Sequence, residues 1–294
     1  MKTTRFLDLD CVCIENGALS LLVTRSVGPR IISLRLNGGD NLLAVLPDFV
    51  TERPDGKFFH FYGGHRLWYA PENMPRTYAL DDRPVDIIPV QNGLSIIQPV
   101  EEQTGIEKSI HISLVEDKPQ VILGHMLTSR GSEPLECAPW AITQFRTGGV
   151  AILPQSQGQT DVLPNRSLAL WPYTNIKSPQ VCWGDRYILV RAEMQAAFKV
   201  GFPNPRGWLA YWLDGTLFVK RSAFDPGGAY YDFGSSSECY CNSHFLELET
   251  LAPASKLAPG EGVTHTEIWE LYADVELPED ENMVQQIVEN LGLE

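Results

Sequence analysis

Short runs in which apolar and polar residues alternate, each bounded by turn residues, cover most of this 294-residue sequence. In 106–114, isoleucine and leucine share one parity with Lys108, and polar residues occupy the other parity. A two-residue period places alternate side chains on opposite faces of a β-strand, so the pattern predicts strands with one buried face. Apolar-rich runs of similar length predict further strands at 18–25, 30–36, 121–128, 187–191, 209–213, 216–221, 245–251 and 264–272.

Turn residues separate these runs, and only the end of the sequence has a helical pattern. The chain contains 24 glycines and 21 prolines, and turn sequences fall at 53–56, 214–215, 225–228 and 259–261. An apolar stripe at helical spacing precedes Gly292 and consists of Met283, Val284, Ile287, Val288 and Leu291. No low-complexity linker and no repeat of solenoid length is present. We therefore predict an all-β chain, one large antiparallel sandwich over residues 1–294 with a short C-terminal helix.

The charge and the apolar runs exclude two classes of partner. The formal net charge is −14, whereas a nucleic-acid surface needs clustered cations, so we expect no nucleic-acid partner. No apolar run approaches the length of a membrane span, and residues 1–10 carry acids where a signal peptide carries an apolar stretch. We expect a cytoplasmic protein without a membrane partner. The sequence predicts no oligomeric state.

Two C-x-C pairs are the feature closest to a metal-binding motif. Cys11 and Cys13, and likewise Cys239 and Cys241, would share a strand face and could offer two thiolates to one metal ion. The other interpretation is small buried apolar residues in a reducing compartment, and we favour it, expecting no metal site. The sequence motifs of nucleotide-binding loops, zinc proteases and esterase elbows are absent.

The segment 58–72, FFHFYGGHRLWYAPE, is the densest candidate site. Its two glycines let the backbone turn or approach a ligand, and His65, Arg66, Trp68 and Glu72 follow closely. Such a mixture suits a sugar, because an aromatic ring covers the apolar face of a pyranose while Arg and a carboxylate bind hydroxyl groups. The alternative is a packed loop in which Arg66 and Glu72 form a structural pair.

Glu247 and Glu249 form a second candidate. On a strand over 245–251 they share one face, with backbones about 7 Å apart. On a solvent face they would be ordinary surface acids. In a pocket their proximity would raise one pKa and produce a general acid or base. Phe245 and Leu251, which have the same parity, favour the pocket slightly.

Three further residues could contact a substrate from apolar strands. Trp140 follows a proline in the segment APWAIT, and Lys199 and Lys220 lie in FKVG and FVKR. A lysine in such a strand either extends to solvent or meets an anion or oxygen of a substrate in a cavity. His111 and His125 also fall in strands, where a structural role is the more common one.

Together these segments resemble the galactose mutarotase-like (aldose 1-epimerase) superfamily. VGPRIISL at 27–34, followed by NLL at 41–43, is similar to the opening strands of that superfamily. The segments 248–251, 257–261 and 265–267 are similar to its closing strands, and GGHRLWYAPE and APWAIT look like an uncharacterised branch. The order of these motifs spans nearly the whole chain.

The resemblance implies a β-supersandwich that binds a sugar on a concave sheet without a cofactor. In classical members a glutamate takes the proton of the anomeric hydroxyl and a histidine protonates the ring oxygen. Glu249 falls at the position of that base, and His65 and Arg66 fall roughly where His and Arg hold the sugar. One departure is that Trp140 stands where the mid-chain acid histidine is wanted. The resemblance leaves open whether His65, His125 or a lysine replaces it, or whether the site only binds.

Our sequence-based hypothesis is a mutarotase-like enzyme that acts on an aldose or a sugar derivative. Glu249 is the expected base, and His65 and Arg66 hold or protonate the substrate. The remaining expected substrate contacts are Trp68, Glu72, Trp140, Lys199, Lys220 and Glu247. The alternatives are a non-catalytic carbohydrate-binding or sensing module and a sugar lyase or hydrolase on the same fold.

Overall fold

The computed structural model describes residues 1–158 and 161–294 and contains two large antiparallel sheets. The first half of the chain forms β1 (Lys2–Phe6), β2 (Leu9–Glu15), β3 (Leu19–Thr24), β4 (Arg30–Leu36), β5 (Val45–Glu52), β6 (Phe58–Gly63), β7 (His65–Ala70), β8 (Asp86–Val90), β9 (Gly93–Ile97), β10 (Ile106–Leu114), β11 (Gln120–Ser129) and β12 (Leu135–Phe145). The second half forms β13 (Val150–Pro154), β14 (Ala169–Leu170), β15 (Val181–Trp183), β16 (Tyr187–Arg191), β17 (Phe198–Phe202), β18 (Trp208–Leu213), β19 (Thr216–Arg221), α1 (Tyr231–Gly234), β20 (Ser237–Cys241), β21 (Leu246–Leu251), β22 (Ser255–Leu257), β23 (Gly262–Tyr272) and α2 (Glu281–Leu291).

The two sheets interleave remote parts of the sequence. The first has the strand order β1-β2-β3-β4-β7-β12-β21-β20-β17-β14, with β22 paired to β12. The second has the order β15-β16-β13-β18-β19-β23-β11-β10-β9-β8, and β5 and β6 form a separate pair. The predicted all-β sandwich class is confirmed, and β4, β10, β16 and β19 have the bounds that the alternation predicts.

The main hydrophobic core lies between the inward faces of these sheets. On β7, Leu67 and Tyr69 belong to this core, and on β21 Leu246 and Leu248 do. Because side chains alternate along a strand, the residues between them point away from the core, to the outer face of the first sheet. A second apolar cluster on that outer face contains Trp68, Trp140 and Leu251 among others.

The predicted C-terminal helix is confirmed as α2. Its N-cap Asp280 accepts hydrogen bonds from the backbone N–H groups of Asn282 and Met283, and Gly292 ends it in the left-handed conformation. Val284 and Val288 are buried in an apolar cluster that contains residues of the second sheet. Within the described residues, no helix has the length and apolar character needed to cross a membrane.

The segment 58–72 is mostly strand, so it is not the packed loop that we considered as an alternative. β6 and β7 fill it, and Gly63 and Gly64 join them with φ angles of 93° and 77°. A Cβ atom on Gly64 would lie 2.1 Å from the carbonyl oxygen of Ile31, so no larger residue fits there. Since neighbouring residues of a strand face opposite ways, His65 and Arg66 diverge.

Four of the six cysteines fit the interpretation as small buried apolar residues, whereas Cys13 is half-buried and Cys182 is exposed. Cys239 and Cys241 belong to the main core, Cys11 is also buried, and all six cysteines are free thiols. Burial raises the pKa of Cys11 to about 11 and that of Cys241 to about 12, so both remain protonated at neutral pH.

Candidate functional site

Five neighbouring strands of the first sheet carry a buried group of charged and aromatic side chains on their outer face. We call it the carboxylate face, and its members are Arg66 and Trp68 on β7, Trp140, Ile142 and Gln144 on β12, Glu247 and Glu249 on β21, Glu238 and Tyr240 on β20, and Lys199 on β17. The strand register places Arg66, Ile142, Glu249 and Glu238 in one row across the sheet. The next row contains Gln144, Glu247, Tyr240 and Lys199.

Glu249 lies at the centre of this face, fully buried. Its Oε2 accepts hydrogen bonds from Trp140 Nε1 at 2.7 Å and from Lys199 Nζ at 2.9 Å. Its Oε1 is buried and has no hydrogen-bond partner within 1–158 and 161–294. One oxygen is therefore fixed in place while the other retains its full capacity as an acceptor.

Lys199 connects Glu249 to a further carboxylate. Its Nζ lies 2.7 Å from Glu238 Oε2, and it is also 4.7 Å from the ring centroid of Trp140 and 4.6 Å from that of Trp171. Burial opposes the charge of Lys199, but the carboxylates of Glu238 and Glu249 outweigh burial and raise its pKa well above the ordinary value. Lys199 is therefore a cation at neutral pH.

Sequence reasoning missed Glu238. The signal that could have found it is the parity of β20, because Cys239 and Cys241 face the core and Glu238 must then face outward beside Glu249. Burial raises the pKa of Glu238 well above its ordinary value, while Lys199 opposes that shift. Asp232 of α1 interacts with both Glu238 and Lys199. Its pKa is also raised, mainly by burial.

Arg66 and Glu247 form the other charged pair of the face. Arg66 Nη2 is 3.3 Å from Glu247 Oε1, and Gln144 Nε2 donates to the same oxygen at 2.9 Å. The guanidinium group also lies over the ring of Trp68, 4.2 Å from its centroid. Burial and the charge of Glu249 raise the pKa of Glu247 to about 7, although Arg66 opposes them. Glu247 thus exchanges a proton near neutral pH.

Aromatic residues pack beside this charged group. Trp68 contacts Trp140 and Tyr78, with ring centroids 5.5 Å and 4.7 Å apart. Glu72 is exposed and accepts a hydrogen bond from the Tyr78 hydroxyl at 2.6 Å, so it does not form the pair with Arg66 that we considered. Glu72 therefore contributes at the edge of the aromatic cluster and not within the carboxylate face.

Two expected site residues lie on the opposite side of the sheet. His65 faces the core, where its Nδ1 is 2.9 Å from Thr143 Oγ1 and its Nε2 is 2.7 Å from His125 Nε2. Lys220 is also in the core, paired with Glu267 at 3.0 Å. Because a β-sheet separates them from Glu249, the structure does not bring His65 and Lys220 together with the other expected residues.

The side chains of His65, His125 and Glu267 in the core are of types that bind metal ions, but the charge around them does not suit a cation. The ligand atoms of His65, His125 and Glu267 all lie within 4.8 Å of one another. However, Lys220 already neutralises Glu267, and the Nε2 atoms of His65 and His125 bind each other at 2.7 Å. A divalent cation would stand beside the Lys220 ammonium group in a buried site, which electrostatic repulsion disfavours. We therefore interpret this group as structural.

A cavity of about 330 Å³ lies elsewhere on the molecule, lined by residues that include Arg53, Asp81, Gln98 and Glu101. Both of its arginines are paired, because Arg53 binds Asp55 and Arg83 binds Glu102. No member of the carboxylate face lines it. The chemistry of the carboxylate face, not the volume of this cavity, identifies the candidate site.

Comparison of the sequence with family models and with curated proteins found no match. Solved structures do match the fold. A galactose mutarotase-like protein from Lactobacillus casei aligns with a TM-score of 0.57 and 10% identity over 89% of this chain and 100% of that one. A second galactose mutarotase-like protein, from Clostridium acetobutylicum, aligns with a TM-score of 0.52 and 10% identity over 92% and 98%.

The fold also occurs as part of a longer protein. A TPR-domain containing protein from Parabacteroides distasonis aligns with a TM-score of 0.61 and 12% identity, over 92% of this chain and 48% of that one. At such identities the likeness concerns the fold alone. The chain has the galactose mutarotase-like β-sandwich fold that the sequence motifs predict.

Proposed function

We propose that the carboxylate face binds a sugar and catalyses the interconversion of its anomers. The observation that carries this proposal is Glu249, whose Oε2 is held by Trp140 and Lys199 while its Oε1 has no partner in the described part of the chain. A general base needs a fixed orientation and a free acceptor atom, and Glu249 has both. The fold supports a sugar as the ligand, as does the aromatic cluster beside Arg66.

In this proposal Glu249 Oε1 takes the proton of the anomeric hydroxyl group. The bond between C1 and the ring oxygen breaks, an aldehyde forms at C1, and the ring oxygen receives a proton from an acid. Rotation about C1–C2 and the reverse proton transfers then close the ring on either face of the aldehyde. This reaction needs only proton transfers, so the proposal includes no cofactor.

Glu247 is the group we assign as the acid. It shares the outer face of β21 with Glu249, and its pKa of about 7 leaves it partly protonated at neutral pH. This assignment replaces His65, which faces the core, and accounts for a tryptophan at position 140 where the acid histidine is wanted. Arg66 and Gln144 fix Glu247 Oε1, so its orientation is also defined.

Exchange NMR on a panel of aldoses tests the proposal. Wild-type protein should accelerate anomer exchange, and Glu249→Gln should lower the catalysed rate by about 10²–10⁴-fold, the usual contribution of a general base. Glu107→Gln, on β10 of the other sheet, is the matched control and should leave the rate unchanged. Catalysis that survives in Glu249→Gln would contradict the assignment, as would cleavage products from oligosaccharides.

Non-catalytic binding is the second candidate, and one observation favours it. The carboxylate face, as defined by its ten residues, carries no histidine, and Glu249 is fully buried. A binding module would show calorimetric heat with a sugar and no acceleration of anomer exchange. The two measurements on one protein sample separate the candidates.

A further inference from the structure

We propose that the carboxylate face prefers a sugar bearing a protonated amine, with Glu238 as the specificity-determining residue. The inference rests on the proposed sugar-binding function and names its substrate class. It follows from a surplus of buried carboxyl groups over cations, from acceptor atoms that remain unfilled, and from the way this face already holds one ammonium group.

The carboxylate face holds more carboxyl groups than cations. Glu238, Glu247 and Glu249 are opposed only by Arg66 and Lys199 among the members of the carboxylate face. Asp232 adds a fourth carboxyl group beside Glu238. Burial raises the pKa of Glu238 and Glu247, because a buried carboxylate without enough compensating cations is costly in a medium of low polarity. A cationic ligand would compensate the ionised form of Glu238, whereas an anionic ligand would oppose it.

Glu238 and Glu249 both carry acceptor oxygens that are unfilled within the described residues. Glu238 Oε1 and Glu249 Oε1 are both buried, and neither has a hydrogen-bond partner among the residues the structure describes. The neighbouring Asp232 can donate a hydrogen bond to Glu238 while it is protonated, so a cationic ligand would take the place of that proton. An ammonium group brings three donors and a positive charge, whereas a hydroxyl group brings one donor and no charge.

The surroundings of Glu238 and Glu249 already stabilise one ammonium group. Lys199 Nζ is held by Glu238 and Glu249 and lies between the rings of Trp140 and Trp171. Carboxylates and aromatic faces together are the usual environment for a bound ammonium ion. A ligand amine at the unfilled oxygen of Glu238 would complete a second site of this kind.

The segment α1 lies beside Glu238, because its Asp232 interacts with that carboxyl group. Asp232 and Phe233 are in the left-handed conformation, with φ of 51° and 58°, and Phe233 is 97% exposed. Left-handed backbone costs a residue other than glycine about 1–2 kcal/mol, and Phe233 gains nothing from burial to offset it. We therefore expect Asp232 and Phe233 to be the part of the site that shifts when a ligand binds at Glu238.

The test is anomer exchange measured at pH 6 with glucosamine, N-acetylglucosamine, glucose and glucuronate. We expect kcat/KM for glucosamine to exceed that for N-acetylglucosamine and for glucose by about tenfold or more, and glucuronate to be the poorest substrate. Glu238→Gln should bring the ratio of glucosamine to N-acetylglucosamine close to one. Glu270→Gln, on β23 of the second sheet, is the control that should keep the ratio.

The outcomes separate this inference from the function beneath it. Equal catalysis of amino and neutral sugars would overturn the amine preference and leave the proposed function standing. Absence of exchange and of calorimetric binding with every sugar would contradict both. If Glu238→Gln fails to fold by circular dichroism, Asp232→Asn provides the second variant, which should also lower the ratio, and an unchanged ratio would count against the inference.

Discussion

The two faces of the first sheet each contact a cluster built from a lysine, a glutamate and a tryptophan. In the core cluster, Glu267 is satisfied at both oxygens. Its Oε1 accepts from Lys220 at 3.0 Å and from Thr250 at 2.5 Å, and its Oε2 accepts from Trp269 at 2.8 Å. One cation therefore balances one anion, and the pKa of Glu267 is held well below its ordinary range because these partners outweigh burial.

On the carboxylate face the same residue types are arranged differently. Lys199 and Trp140 both bind Oε2 of Glu249, which leaves Oε1 without a partner in the described chain. The lysine is also shared with Glu238, so two carboxyl groups are served by one cation. Residue composition alone thus does not distinguish a structural cluster from a candidate site, whereas the count of filled acceptors and charges does.

Loss of the glutamate is expected to show the largest difference between the clusters. Glu267→Gln leaves Lys220 as an uncompensated buried charge and should lower the free energy of unfolding by about 3–5 kcal/mol. Glu249→Gln should cost less, because Lys199 keeps Glu238 as its partner. Urea unfolding of both variants measures the difference, and equal losses would show that the two clusters are equivalent.

Replacing the tryptophan of each cluster should have a smaller effect on stability and should affect anomer exchange in one cluster alone. Trp269→Phe and Trp140→Phe each remove one hydrogen bond to a carboxylate, worth about 1.5–3 kcal/mol. Trp269→Phe should lower stability and leave anomer exchange at the wild-type rate per folded molecule. Trp140→Phe should slow exchange because Oε2 of Glu249 loses a fixed donor. Loss of exchange in Trp269→Phe, with none in Trp140→Phe, would reverse our assignment of the two faces.

The pH dependence of stability should have opposite signs in the two clusters. Burial lowers the pKa of His265 in the core to about 3, from an ordinary value of 6.5. Between these values the unfolded chain holds more protons, so stability falls as the pH drops below 6.5, by about 1.4 kcal/mol per pH unit at most for one histidine. His265→Gln should remove that part of the slope in urea unfolding between pH 6.5 and 4.5.

Glu247 should make stability rise as the pH falls, which is opposite to the effect of His265. Its pKa of about 7 in the folded protein exceeds the ordinary 4.5, so the folded state holds the extra proton between these values. The stabilisation is present below pH 4.5 and is lost as the pH rises through 7. Glu247→Gln should therefore steepen the fall of stability on acidification that the histidines produce. A flatter profile in this variant would contradict the raised pKa.

The sequence predicted more of the fold than of the site. Alternation located most of the long strands and placed Glu247 and Glu249 on one face, because side-chain direction on a strand depends only on residue parity. The same rule separates His65 from Arg66, but only once 65–70 is known to be a strand, and the two preceding glycines suggested a turn or a loop. Without that strand assignment, the sequence offered no reason to place His65 on the opposite face from Arg66.

The sequence by itself determined which residues of each strand share a face, since that property is local. The tertiary structure alone decided what each face meets, because the partners come from distant strands. Glu249 binds a lysine 50 positions away and a tryptophan 109 positions away. Strand order in the sheet also placed Glu238 beside it and buried Lys220 on the other side. Cross-strand neighbours depend on the free energy of packing the whole sandwich, which no local pattern records.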